Sequence, residues 1–258
     1  MAKVAVVIIH GMGAQERDFA DATIDEINVR IKGRGKQPAD IAWKPVYWAD
    51  LIQSRQTDFL NRIISNPSND IDFIKLRRFV ISALGDAAAY QNIRGKETST
   101  YREIHQRVKA SISDFYNNQL GQQPCPLIIM AHSLGGHVIS NYIWDIQKDS
   151  TGSSDFENMK YLAGMITFGC NIPLFSFAHT NLLPFSFPGE SLSYAEKAKA
   201  KWLNFYDPDD VLGYPLRQIN NHYEFIEDRH INAGGLLTSW NPLSHNAYWT
   251  DNCKPPLK

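Results

Sequence analysis

The amino-acid sequence predicts an α/β fold built on a doubly wound, mainly parallel sheet. Three observations predict it: short β-branched runs, stretches of helical period between them, and glycine- or proline-rich turns where one gives way to the other. Residues 3–9 form a continuous apolar run of the kind found in a strand covered on both faces, and the run ends at Gly11 and Gly13. Residues 16–31 place Phe19, Ala20, Thr23, Ile24, Ile27 and Ile31 on one helical face, closed by Gly33 and Gly35. Residues 41–48 read as the second strand.

Residues 51–120 contain no strong strand pattern. Amphipathic sets such as Phe73, Leu76, Val80, Leu84 and Tyr101, Ile104, Val108, Ile112 predict a helical insertion or cap followed by a crossover helix. Residues 126–130 are a further buried strand that turns sharply into a helix over about 136–147. Residues 161–168 and 202–206 are two more strands, and 223–231 is the expected last one. Nothing repeats and no linker divides the chain, so residues 1–258 are expected to form one domain that contains the 51–120 insertion.

Composition narrows the function. A formal net charge of -1 gives no whole-chain attraction to nucleic acid, so no nucleic-acid partner is expected. Lys75, Arg77 and Arg78 are a local exception, read either as a solvated face or as a peripheral contact for anionic lipid. Cys125, Cys170 and Cys253 are odd in number and far apart, without metal-ligand spacing. They predict free thiols in a reducing, cytoplasmic setting, no disulfide framework and no metal site. The uncharged stretch 161–189 is broken by Gly164, Gly169, Pro173, Pro184 and Pro188, which argues against a transmembrane helix.

The chemistry concentrates at Ala131-His132-Ser133-Leu134-Gly135. A serine hydroxyl becomes a useful nucleophile only when it is exposed on a tight turn, beside a base and facing donors for an oxyanion. In the nucleophile-elbow pattern G-x-S-x-G the residues two before and two after the serine nearly touch, so both must be small. Ala131 and Gly135 meet that need, and the segment sits between an apolar strand and a helix. The competing reading, a phosphate-binding turn, lacks the Gly-Lys-Ser/Thr it would require.

At these residues the chain resembles the α/β-hydrolase superfamily, and within it the lipase-like branch of class 3 lipases and inositol-deacylase-like enzymes. Ala131 departs from the commoner glycine. The chain starts at the strand before the oxyanion loop, as a minimal version of that fold does. The resemblance implies that His10-Gly11-Met12-Gly13 is an oxyanion loop, with the backbone amides of Met12 and Leu134 as donors. It implies the order serine, acid, histidine along the chain. His245, followed by Tyr248 and Trp249, is then the base, while His132 and His137 flank the nucleophile and point elsewhere. Asp210, followed by Val211 and Leu212, resembles the lipase acid, and Asp207 is the runner-up.

The uncharged segment 172–188 follows a strand whose end faces the expected site, so Leu174, Phe175 and Phe177 are candidates for an acyl pocket or for sealing the core. The implied activity is hydrolysis of a small-molecule or lipid-like carboxylic ester without cofactor. The same residues serve an acyltransferase or thioesterase, and a catalytically silent binding module is the third reading.

Overall fold

Alternation in the first strand sorts the core. In β1 (Val4–Ile9) successive side chains point to opposite faces. Ala5, Val7 and Ile9 join the main apolar core, while Val6 and Ile8 join a smaller one. Both sets are almost fully buried, so layers must cover both faces of the sheet. The computed structural model describes residues 2–13, 15–66, 69, 71–90, 99–178, 180, 182–233 and 244–249.

Within these residues the chain runs β1, α1 (Asp21–Gly33), β2 (Ile41–Val46), α2 (Asp50–Ser65), α3 (Ile74–Ala89), α4 (Thr100–Asp114), β3 (Leu127–His132) and α5 (Leu134–Asp149). It continues through β4 (Leu162–Phe168), α6 (Ile172–Ser176), α7 (Tyr194–Lys197), β5 (Lys201–Tyr206) and β6 (Glu227–His230). The six strands form one sheet in the order β2-β1-β3-β4-β5-β6, and every pairing is parallel. The order reverses between β1 and β3, and in an open parallel sheet the crevice at the carboxyl ends there is where ligands bind. That switch point lies beside Gly11 and Ser133, which follow β1 and β3. This is the α/β, doubly wound, parallel architecture that the sequence predicts.

Two element boundaries differ from the sequence reading. The helix expected from residue 16 starts at Asp21, because residues 16–20 form turns that place Phe19 edge-on to His10 and bury Ala20. The last strand is β6 alone, not 223–231. Asn220 accepts the His222 N–H at 2.9 Å and sets a tight turn through Tyr223. Tyr223 and Ile226 enter the core with the three-residue spacing of a turn, not the alternation of a strand.

Between β2 and β3 stand α2, α3 and α4. The buried face of α4, with Ile104, Val108 and Ile112, belongs to the main core that α5 also lines. Cys125 and Cys170 are buried free thiols; Cys253 lies outside the described residues, as do 67, 68, 70 and 91–98 of the helical segment.

Candidate active site

Ser133 is the single residue between β3 and α5. Its backbone lies at φ 52°, ψ -127°, a region that costs a residue with a Cβ roughly 1–3 kcal/mol. Surrounding contacts hold it there. The Ser133 N–H donates to Phe168 O at 3.0 Å, extending the β3–β4 ladder. A Cβ on Gly135 would stand 2.3 Å from the His10 carbonyl oxygen, and one on Gly11 would stand 2.5 Å from Ser133 Cβ. Only glycines let the turn pack this closely against the end of β1. Because glycine tolerates this backbone and alanine does not, Ser133→Gly is expected to be more stable than Ser133→Ala by about 1 kcal/mol. Urea unfolding of the two variants checks this, and equal midpoints would show the turn to be unstrained.

The three residues expected to act together do meet. His245 Nε2 lies 2.5 Å from Ser133 Oγ, and His245 Nδ1 lies 2.8 Å from Asp210 Oδ2. A carboxylate only accepts, so Nδ1 carries the proton and the Nε2 lone pair faces the serine hydroxyl. All three side chains are buried. Asp210 also accepts the Leu212 N–H at 2.9 Å on Oδ1 and the Tyr248 hydroxyl at 3.0 Å on Oδ2. Asp207 is occupied differently: Oδ1 accepts the Asp209 N–H at 2.9 Å and Oδ2 the Ala233 N–H at 2.7 Å. It ties loops together, and its backbone N–H donates to Tyr248 Oη at 2.8 Å.

His132, set aside in the sequence because it flanks the serine, holds the histidine segment in place. Trp249 Nε1–H donates to His132 Nδ1 at 3.2 Å, which leaves His132 Nε2–H to donate to the His245 carbonyl at 2.8 Å. The ring is fully buried, and burial, with the nearby His245, pushes its pKa well below the usual histidine value, so it stays neutral. No local pattern signals this role. It depends on two segments 113 residues apart.

The His-Gly-Met-Gly loop is fixed from both ends. His10 Nε2 accepts the Trp48 N–H at 3.0 Å, so its Nδ1–H donates to Gly11 O at 2.8 Å, and the ring stacks on Trp48. Burial lowers the His10 pKa to about 4. At the other end the Gly13 N–H donates to Asp86 Oδ2 at 2.8 Å, and Gln56 Nε2–H donates to Asp86 Oδ1 at 2.7 Å. Burial raises the Asp86 pKa to about 6 against the pull of those two donors. One signal for Asp86 was present in the sequence: it is an acid on the same helical face as Ala83 and Tyr90, both buried. Among the described residues neither the Met12 nor the Leu134 N–H has a hydrogen-bond acceptor. Leu134 is the first residue of α5, where a free N–H is expected of any helix.

A cavity of about 440 Å³ runs beside α5, and its wall begins at His137, one helical turn beyond Ser133. Phe175 lines it and stacks on His137 with centroids 4.1 Å apart. Leu174 and Phe177 do not line it: Leu174 is 40% exposed and Phe177 87%. Leu182, Leu183 and Phe185, from the same uncharged 172–188 segment, line it with Phe175. Among the described residues no three His, Cys, Asp or Glu side chains group as metal ligands, and no helix is long and apolar enough to cross a membrane.

No protein-family model and no curated protein matches this sequence. Its chain path is similar to that of several solved structures. One, assigned to the hydrolases of the alpha/beta superfamily, comes from Xanthomonas campestris pv. campestris, with 9% identity, 95% of each chain covered and a TM-score of 0.41. Another is the thioesterase of the prodiginine biosynthetic pathway in Streptomyces coelicolor, with 11% identity, 96% of this chain and 84% of that one covered, and a TM-score of 0.41. A third is a soluble variant of monoglyceride lipase from Saccharomyces cerevisiae, with 11% identity, 98% and 88% covered, and a TM-score of 0.41.

Proposed function

We propose that this chain is a serine hydrolase that cleaves a carboxylic ester through an acyl-enzyme intermediate. The observation that carries the proposal is the continuous chain Ser133 Oγ, His245 Nε2, His245 Nδ1, Asp210 Oδ2, with contacts of 2.5 and 2.8 Å. Ser133 Oγ attacks the carbonyl carbon as His245 Nε2 takes the hydroxyl proton, and Asp210 stabilises the imidazolium that results. The N–H groups of Met12 and Leu134 receive the oxyanion; each such donor is worth about 3 kcal/mol in the transition state. Collapse of the tetrahedral species expels the alcohol, which leaves with the proton held on His245. Water, deprotonated by the same nitrogen, then attacks the acyl-serine and releases the acid. These steps run on side chains and backbone amides alone.

The cavity beside α5 is the space for the acyl or aryl portion of the ester, its apolar wall formed by Phe175, Leu182, Leu183 and Phe185. A fluorophosphonate probe tests the reading. The wild-type chain is expected to be labelled covalently at Ser133, with labelling abolished in Ser133→Ala. An unlabelled wild type, under conditions that label a control esterase, or undiminished labelling of the alanine variant, would overturn it.

A further inference from the structure

Helix α3 has one face packed into the molecule and one that nothing in the described structure covers. Ala83, Asp86 and Tyr90 are buried on the inner side. On the outer side Phe73, at the helix N-cap, is 76% exposed, Leu76 59%, Val80 41% and Leu84 64%. Positions 73, 76, 80 and 84 recur at three- and four-residue intervals, so they form one stripe along a helix roughly 24 Å long. Four large apolar side chains in a continuous exposed row differ from the scattered apolar residues of an ordinary surface.

Charge selects what covers the stripe. The charged residues of α3 are Lys75, Arg77, Arg78 and Asp86, and Asp86 is buried under the Gly13 and Gln56 donors. Among the charged side chains of this helix whose exposure is described, the two exposed ones, Arg77 and Arg78, are positive, with Asp72 just outside the first turn. Arg77 and Arg78 are exposed, and the ion-paired arginines among the described residues are others: Arg17, Arg30, Arg55, Arg107 and Arg229. Arg77 Nε–H donates to the Asp72 carbonyl at 2.8 Å. With a net charge of -1 for the whole chain, this positive character is local. An exposed apolar stripe with Arg77 at its edge and Arg78 farther round the exposed surface, neither ion-paired among the described residues, fits the interface of an anionic bilayer, where apolar side chains enter the acyl region and long basic ones reach the headgroups.

We propose that α3 docks this chain onto an anionic lipid surface, lying in the interface with Phe73, Leu76, Val80 and Leu84 inserted and Arg77 and Arg78 on the headgroups. Two residues along the helix from Leu84, Asp86 holds Gly13, so the docked helix is tied directly to the loop beside Ser133. The docking itself is independent of the ester chemistry.

Cosedimentation of the full chain with vesicles tests it, using phosphatidylcholine alone and phosphatidylcholine containing roughly a third phosphatidylserine. The wild type is expected to pellet with the anionic vesicles and to remain largely in solution with the neutral ones. Leu76→Ser with Leu84→Ser lowers partitioning by about tenfold per leucine. Arg77→Gln with Arg78→Gln lowers it by about fivefold per arginine on the anionic vesicles only. All four positions are exposed, and far-UV circular dichroism confirms that the variants are folded. The proposal is overturned if the wild type ignores anionic vesicles, or if the stripe variants bind as well as it does. It is equally overturned if sedimentation velocity shows a dimer that these substitutions dissociate, since a second copy then covers the stripe.

Discussion

Asp210→Asn is expected to lower kcat for nitrophenyl-ester hydrolysis by about four orders of magnitude with KM changed only a few-fold, whereas Asp207→Asn lowers kcat by less than about tenfold. The difference follows from which donors each carboxylate serves. Asp210 accepts the Leu212 N–H on one oxygen and both His245 Nδ1–H and the Tyr248 hydroxyl on the other. An asparagine that keeps its oxygen toward Leu212 turns an NH2 group toward His245. The imidazole then has to accept at Nδ1 and carry its proton on Nε2, which faces Ser133 and can no longer take the hydroxyl proton. Both oxygens of Asp207 serve backbone N–H groups of Asp209 and Ala233, so its loss is felt as loop stability, about 1–2 kcal/mol. The kinetics of the two variants against wild type decide the matter. A larger kcat loss in Asp207→Asn would remove Asp210 from the proposed machinery.

Between pH 6 and pH 4, Asp86→Asn is expected to lose about 2 kcal/mol more stability than the wild type does. Two groups that hold the 10–13 loop, His10 within it and Asp86 on α3, pull in opposite directions. Burial holds the His10 pKa down at about 4 from 6.5, so the unfolded chain binds more protons than the native one between those values. The stability that neutral His10 provides is present above pH 6.5 and is lost as pH falls toward 4, about 3 kcal/mol in all. His132, depressed by the same cause, adds to that loss. Burial holds the Asp86 pKa up at about 6 from 3.8, so here the native chain binds more protons. Its contribution is present in full below pH 3.8 and is lost as pH rises through 6, again about 3 kcal/mol. Acidification therefore costs stability at His10 and restores it at Asp86. Asparagine can still accept from the Gly13 N–H but does not titrate, so the restoring part disappears. Urea unfolding of both proteins at intervals from pH 7 to 4 isolates the effect, because every other titrating group is common to the two curves. Parallel curves would show that Asp86 does not titrate in this window.

The two predictions rest on features of different legibility. The turn at Ser133 is local: five consecutive residues supply small neighbours, a strand before and a helix after, and the conformation follows from steric fit over that short span. Strands β1, β3 and β4 were readable for a similar reason, because largely apolar runs bounded by turn residues have few other uses in a chain of this composition. Boundaries blurred where a side chain was claimed by a distant partner. Phe19, drawn to His10, shortens α1, and Tyr223 and Ile226, drawn into the core, shorten the last strand. Leu174 and Phe177 carry the same apolar signal as Phe175, yet of the three only Phe175 lines the cavity, stacked on His137.

By itself the sequence determined the class of the fold and the position of the tight turn at Ser133. Both are written in short-range pattern: period, turn chemistry and side-chain size. The chain order in which Ser133, Asp210 and His245 are expected came from the resemblance. Only the tertiary structure decided which of two aspartates faces His245, across 35 residues, and that Asp86 holds Gly13, across 73. It also decided that His132 secures the segment bearing His245, across 113. The physical reason is common to all three. A buried hydrogen-bonding group must find a partner or lose its desolvation energy, and which partner comes within 3 Å depends on how separate elements pack, not on the residues beside it in the chain.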